Sequence, residues 1–169
     1  MQITTNIATI PLCFLLIVNT GCHHSPENKA LASLKKLPPF TLLSIDSSHL
    51  VRSQDIPTGR HSIFFYFDPT CEHCQQETQR IISHKGAFKD VQFYFLSSAT
   101  SRQVDSFYKF YGLDRLSNVF VGIDYQFSFF NAFLPSSVPY MAIYDKRKRL
   151  KKVYNGEADI QSLITQTRN

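Results

Sequence analysis

The chain is organised around one stretch, Ile63-Phe64-Phe65-Tyr66-Phe67-Asp68-Pro69-Thr70-Cys71-Glu72-His73-Cys74. Its first five residues form an unbroken apolar run, which is typical of a strand buried on both faces inside a parallel sheet. The residues from Cys71 onward form a polar segment with helical character. The stretch therefore predicts a central strand that leads into a helix, with Cys71 at the junction.

Two cysteines, Cys71 and Cys74, lie at the predicted start of this helix. The first N–H groups of a helix are unpaired and carry partial positive charge, so they stabilise an anion such as a thiolate. We therefore expect Cys71 to be the nucleophilic thiol. Cys74 follows nearly one helical turn later, on the same face and within reach of a disulfide. The pair can thus cycle between a dithiol and a disulfide.

The two residues between the cysteines, Glu72 and His73, are expected to tune this couple. A hydrogen bond or a positive charge from His73 would stabilise the Cys71 thiolate and favour oxidising behaviour. A zinc site is the alternative for a Cys-x-x-Cys, but zinc binds four ligands, and the sequence holds no second Cys-x-x-Cys and no His-x-x-x-His. The spacing therefore favours a redox pair, with no metal and no other cofactor.

The N-terminal residues predict export. The apolar run from Ile10 to Val18 is too short to span a bilayer comfortably and lies where a secretory signal has its apolar region. Asn19-Thr20-Gly21-Cys22 follows and resembles the lipobox of bacterial lipoproteins. We expect residues 1–21 to be a signal peptide, Cys22 to be lipidated, and residues 22–36 to be a polar tether. An uncleaved anchor or a buried N-terminal helix is the alternative.

The cysteine count supports a catalytic pair. The chain has four cysteines, of which Cys13 would leave with the signal peptide and Cys22 would carry lipid. Cys71 and Cys74 would then be the only thiols of an envelope protein that faces the periplasm. A single pair at a helix start indicates a redox catalyst rather than a scaffold held by disulfides.

The rest of the chain alternates segments typical of strands and helices. Such an alternation predicts a parallel sheet with helical crossovers. The segments are the strand 91–96, a helix that is capped by Ser101 and ends at Gly112, the short strand 119–121, the strand 140–144 and a last helix with Ile160, Leu163 and Ile164. Gly86 is expected to end the helix of the cysteine pair.

These residues resemble the thioredoxin superfamily over about residues 38–168, and within it the TlpA/ResA type of envelope-anchored thiol-disulfide oxidoreductase. The resemblance rests on the Cys-Glu-x-Cys motif, on Glu77 after it, and on Val138-Pro139 before an apolar strand. It implies an α/β, thioredoxin-like fold for residues 37–169. In this fold helices flank a central mixed sheet, and an N-terminal β-hairpin, here 38–43 with 49–52, is added.

The resemblance also assigns roles to residues outside the cysteine pair. Glu77 lies one turn beyond Cys74 and could accept or return its proton; an exposed surface residue is the alternative. Val138 and Pro139 would lie against the cysteines and bind an extended substrate strand, with the Val138-Pro139 peptide bond in the cis form. An ordinary trans proline at a strand start is the alternative.

The predicted function is thiol-disulfide exchange on cysteines of exported proteins, with the chain acting as the reductant. A membrane electron donor or acceptor would be its other partner, and a monomer that binds no nucleic acid is expected. The alternative is a redox-inert binding or assembly module of the cell envelope. A peroxiredoxin would need a threonine at the place of Asp68, and a copper-handling protein would need a late histidine, whereas none follows His84.

Two surfaces stay open from the sequence. The aromatic residues 125–133 could pack in the core or receive substrate polypeptide beside the active site. The basic residues of 146–152 could protect an exposed sheet edge, or they could contact anionic lipid or an acidic partner, consistent with the net charge of +5.

Overall fold

The computed structural model describes residues 1–2 and 32–168. The predicted signal peptide, Cys22 and most of the predicted tether lie outside the described residues. The packed structure begins at Leu34, which is buried and whose carbonyl oxygen accepts a 2.9 Å hydrogen bond from the Tyr144 hydroxyl. The folded core therefore includes a residue that precedes the predicted domain start.

Within the described residues, seven strands form one mixed sheet in the order β2-β1-β5-β4-β3-β6-β7. Strands β3, β4 and β5 are parallel to one another. On either side of this set, β1 runs antiparallel to β5 and β6 runs antiparallel to β3. The predicted hairpin is confirmed as the antiparallel pair β1–β2. The strands are β1 (Thr41–Ser44), β2 (Leu50–Arg52), β3 (His61–Tyr66), β4 (Val91–Ser97), β5 (Val119–Ile123), β6 (Tyr140–Tyr144) and β7 (Leu150–Asn155).

The predicted central strand is confirmed as β3, whose residues are all buried. Because successive side chains of a strand point to opposite faces, its apolar run supplies two cores. Ile63 and Phe65 belong to the core on one face, and Phe64 and Tyr66 belong to the core on the other. A strand with polar residues on one face could not occupy this central position.

Among the described residues, the faces of the sheet are covered by the helices α1 (Glu72–Ser83), α2 (Ser101–Phe110), α3 (Ser128–Phe133) and α4 (Ile160–Thr167). Cys74, Val104 and Leu163 place α1, α2 and α4 on the face of Ile63 and Phe65. Helix α3 packs on the other face through Phe129 and Phe133. In the part of the chain that is described, no helix has the length and apolar character needed to cross a membrane.

Two helix boundaries differ from the prediction. Thr100, not Ser101, is the N-cap of α2, because the Thr100 side chain accepts the Gln103 N–H and the Gln103 side chain accepts the Thr100 N–H. Helix α1 ends at Ser83, and Gly86 lies in a separate 3₁₀ turn, Lys85–Phe88. The predicted stop of α2 is confirmed, since Gly112 follows that helix with a left-handed φ of 61°.

The basic stretch lies at an edge of the sheet and far from the cysteine pair. It occupies the β6–β7 turn and the start of β7, the last strand in the order, which supports protection of an exposed edge. The register pairs Tyr144 with Ser62 and Tyr140 with Tyr66, so this turn lies at the Ser62 end of β3. Lys36 forms an antiparallel bridge with Arg149 there, so the N-terminal segment joins the sheet at the same end.

Candidate active site

The turn between β3 and α1 places Cys71. The Asp68 side chain accepts hydrogen bonds from the Thr70 N–H and the Thr70 hydroxyl, each of 2.7 Å, and the Asp68 carbonyl accepts the Cys71 N–H at 3.1 Å. Cys71 is the N-cap of α1 with extended backbone angles, φ −75° and ψ 118°. The predicted junction of a buried strand and a helix at Cys71 is therefore confirmed.

The two sulfurs have different surroundings. Both cysteines are free thiols; Cys71 is half-buried and Cys74 is fully buried. The Cys74 side chain is hydrogen-bonded to Cys71, and burial raises the pKa of the Cys74 thiol, an effect that the Asp68 N–H opposes. This arrangement suits Cys71 for attack on an outside disulfide and keeps Cys74 protonated until it is needed.

Val138 and Pro139 lie against the cysteine pair, and their peptide bond is cis, as the resemblance implies. The Cys71 thiol donates a weak hydrogen bond to the Val138 carbonyl oxygen, with a sulfur–oxygen distance of 3.9 Å. The Pro139 carbonyl oxygen accepts the Gly156 N–H at 2.8 Å, which fixes the loop to the end of β7. The backbone of Val138 is therefore held beside the reactive sulfur.

Glu77 is fully buried within α1, not on the surface. Its Oε2 atom is ion-paired with Arg80 and lies 3.4 Å from the Ala158 N–H, while its Oε1 atom has no hydrogen-bond partner among the described residues. Burial raises the pKa of Glu77, and the Arg80 guanidinium opposes this rise. Glu77 is thus a buried carboxyl that can hold a proton at a higher pH than an exposed glutamate.

A chain of charged groups leads from Glu77 to the surface. Arg80 also donates to Oε2 of Glu157 at 2.7 Å, and Oε1 of Glu157 lies 2.5 Å from Nδ1 of His73. These hydrogen bonds from His73 and Arg80 lower the pKa of Glu157. The ring of His73 is therefore engaged by a carboxylate, whereas Glu72 is exposed and accepts a hydrogen bond from Gln76.

A groove of about 510 Å³ adjoins the cysteine turn. Pro69 and Thr70, which directly precede Cys71, line it together with Gln75 of α1, and α2 contributes Arg102, Phe107 and Phe110 among others. Phe110 is 80% exposed although it is one of the largest apolar side chains of the protein. The sequence predicts α2 as one of the alternating helices, and no motif in it marks this groove.

The aromatic residues 125–133 serve the core in part. Phe129 and Phe133 are buried, whereas Tyr125, Phe127 and Phe130 are exposed. The buried Asp124 carboxylate accepts the backbone N–H groups of Phe129 and Phe130, which holds α3 against the sheet. Core packing accounts for the buried pair, while the exposed rings remain in contact with solvent.

The described residues contain no group of three or more His, Cys, Asp or Glu side chains arranged to hold a metal ion. A thiol pair without further ligands cannot complete the four-ligand shell of zinc.

No family model and no curated protein matches the chain. Several solved structures do. A secreted disulfide oxidoreductase from Mycobacterium tuberculosis, described as homologous to DsbE of E. coli, is 17% identical, with coverage of 80% of this chain and 96% of that chain and a TM-score of 0.63. StoA from Bacillus subtilis is 16% identical, with coverage of 78% and 97% and a TM-score of 0.59. ScoI from Arabidopsis thaliana, solved with copper bound, is 16% identical, with coverage of 78% and 97% and a TM-score of 0.60.

Proposed function

We propose that this chain, whose fold is the thioredoxin-like fold of those structures, is a protein-disulfide oxidoreductase that reduces disulfides of exported proteins. One observation carries the proposal. The half-buried Cys71 thiol lies at a helix N-cap beside the Val138 backbone and is hydrogen-bonded to the fully buried Cys74 thiol. An attacking thiol that a partner can reach and a protected resolving thiol are what exchange requires.

The reaction has two exchange steps. The Cys71 thiolate attacks one sulfur of a partner disulfide, so a Cys71–partner bond forms and the other partner sulfur leaves as a thiolate that takes up a proton. The Cys74 thiolate then attacks Cys71, which releases the second partner thiol. The partner gains two electrons, and Cys71 and Cys74 are left as a disulfide. A membrane electron donor must then return the pair to the dithiol.

Glu77 supports the second step. Because burial raises the pKa of Cys74, its thiol needs a base before it can attack. Glu77 lies one turn further along α1, is buried, and has an oxygen that lacks a partner among the described residues. It can accept the Cys74 proton and return it when the disulfide is reduced again.

The surroundings of His73 support the reducing direction. A free imidazolium beside the pair would stabilise the Cys71 thiolate and make the couple more oxidising. In this structure the His73 ring lies 2.5 Å from Glu157, whose negative charge offsets a positive charge on the ring. The thiolate gains less stabilisation, which favours a reductant.

The cellular setting is proposed from the sequence alone. The apolar run before Asn19-Thr20-Gly21-Cys22 supports export and attachment of lipid to Cys22, so the domain would face the periplasm from a bacterial membrane. Replacement of Cys22 by serine should move the protein from the membrane fraction to the soluble fraction of its cells. Retention of that variant in the membrane would contradict lipidation.

The reduction potential of the Cys71–Cys74 couple tests the activity. We expect equilibration with glutathione buffers and thiol trapping to give a value near that of thioredoxin, roughly −270 mV, rather than the roughly −120 mV of a disulfide-forming oxidant. A Cys74→Ser variant should accumulate the mixed disulfide with a partner, whereas Cys71→Ser should not form it. A pair that does not cycle would contradict the proposal and favour a redox-inert binding module.

A further inference from the structure

We propose that the groove between α1 and α2 selects the protein partner. It binds a large apolar side chain that lies next to the partner's reactive cysteine, and Arg102 pairs with an acidic residue of the same partner. This inference rests on the proposed function, since the occupant is the polypeptide that exchanges with Cys71. The groove is lined by Pro69, Thr70, Gln75, Arg102, Phe107 and Phe110.

The groove and the Val138-Pro139 loop lie on opposite flanks of Cys71. In the sheet, β4 and β6 are the two neighbours of β3. Helix α2 follows β4 along the chain, and Val138-Pro139 precedes β6. A polypeptide that pairs with the Val138 backbone therefore crosses Cys71 and continues toward the groove. The groove thus contacts residues of the partner polypeptide that the Val138-Pro139 loop does not contact.

Aromatic rings build the apolar wall of the groove from the core outward. Phe107 packs against Phe67 in the core, with ring centroids 4.5 Å apart, and against Tyr111 at the same distance. Tyr111 in turn holds the ring of Phe110 at 5.0 Å in an edge-to-face contact. Phe110 is therefore supported from below while most of its surface remains in solvent. An exposed ring fixed in this way suits a contact surface.

Arg102 gives the groove a charge preference. It lies in the first turn of α2, where the positive end of the helix dipole makes a cation unfavourable. Among the described residues, Arg102 has no ion pair with an acidic side chain. A carboxylate of the partner that enters the groove would supply that pair.

Peptides that carry one cysteine as a mixed disulfide with 5-thio-2-nitrobenzoate provide the test. The Cys71 thiolate forms a bond to the peptide sulfur and expels the coloured thiolate, so no electrons are gained or lost overall and release is read by absorbance. Each peptide carries either Phe or Ala within three residues of the cysteine. It carries either Glu or Lys at a position further from the cysteine than that residue. The mixed disulfide of 2-mercaptoethanol with the same aryl thiol, which carries no peptide and no apolar side chain, is the reference aryl disulfide and measures the chemistry without peptide docking. The assays use the full chain with the substitutions Cys13→Ser and Cys22→Ser, so that Cys71 and Cys74 are its only thiols.

Two substitutions should separate docking from chemistry. Phe110→Ala should lower the second-order rate constant at least fivefold for the Phe peptides and less than twofold for the Ala peptides. Arg102→Glu should reverse the preference for Glu over Lys. Neither should alter the rate with the aryl disulfide. Leu50→Ala, which removes an apolar side chain that is 43% exposed on the edge strand β2, is the matched control and should change none of these rates.

The outcomes distinguish the two proposals. If Cys71 reacts with the aryl disulfide but both groove variants react with every peptide at the rate constant of the parent chain, the docking inference is overturned and the exchange function stands. If Cys71 reacts with neither kind of disulfide, the proposed function fails and the docking inference fails with it.

Discussion

The same kind of side chain has two roles at positions 71 and 74 because its environment differs. Cys71 caps a helix at the surface and touches the Val138 carbonyl, whereas Cys74 lies one turn inside the helix with no exposed surface. Removing a thiolate from water is costly, so the buried sulfur keeps its proton. In the proposed reaction, this difference in accessibility orders the two exchange steps.

Glu77 should make the stability of the domain depend on pH. Its pKa is raised from 4.5 by burial, so the folded state holds a proton that the unfolded state has lost. Stability from this proton is fully present below about pH 4.5 and is lost as pH rises through the raised pKa. In Glu77→Gln this loss is absent. The free energy of unfolding of the variant, relative to the parent chain, should therefore increase with pH above 4.5 by up to about 1.4 kcal/mol per unit.

Urea denaturation at a series of pH values measures this difference. Glu72→Gln is the matched control for the replacement of a carboxylate by an amide, because Glu72 is exposed on the same helix. A constant difference for Glu77→Gln would mean that Glu77 ionises like a surface glutamate.

At this scale the sequence predicts residues whose chemistry is local. Cys71, Cys74 and Glu77 share one helix, and a distinctive dipeptide marks Val138-Pro139. Glu157 escapes the analysis because it meets His73 only through the fold, across 84 positions of the chain. No spacing rule connects such residues, so only the packed structure identifies them.

The helices show how local chemistry sets element boundaries. Thr100 and Gln103 cap α2 reciprocally, which satisfies two N–H groups that would otherwise lack partners. A hydroxyl residue at either position 100 or 101 could cap a helix, and the presence of Gln103 decides between them. The sequence analysis names Ser101 because it considers the cap alone and not the partner three residues beyond it.

This boundary gives a test at the scale of one element. Thr100→Ala should lower the free energy of unfolding by about 1 kcal/mol, because the Gln103 N–H loses its acceptor. Ser101→Ala should change it by less than about 0.5 kcal/mol, since Ser101 is an exposed residue inside the helix. Chemical denaturation of the two variants side by side measures both values. Equal losses in the free energy of unfolding would contradict the assignment of Thr100 as the N-cap.

Long apolar runs predict strands better than short mixed segments predict helices. β3 and β4 are evident from the sequence because every position or nearly every position is buried. Helix α3 is not, because it is short, it begins after Phe127 with a left-handed φ of 54°, and its N–H groups are held by Asp124 from before the helix. Tertiary contacts, rather than helix propensity, determine that segment.

The whole molecule is held by two cores on either side of one sheet, and the second core recruits the N-terminal segment. Leu34 is only 4% exposed and packs with this second core, which also contains Phe40 and Tyr144. The segment therefore belongs to the folded unit, although its polar composition suggests a tether.

Leu34→Ala should destabilise the protein by about 2–5 kcal/mol, because it leaves a cavity in that core. Leu134→Ala is the matched control: Leu134 is 63% exposed, so its truncation should cost less than about 0.5 kcal/mol. Thermal or urea unfolding of the full chain measures both. If Leu34→Ala lowers the free energy of unfolding as little as the control does, the folded domain begins at position 37, as the sequence predicts.

The bridge between Lys36 and Arg149 fixes where the described chain enters the sheet. It lies at the Ser62 end of β3, while Cys71 follows the Tyr66 end, about 13 Å further along the strand. Residues 34–36 are therefore bound at the end of the sheet opposite Cys71, and they leave the approach of another protein to that sulfur open.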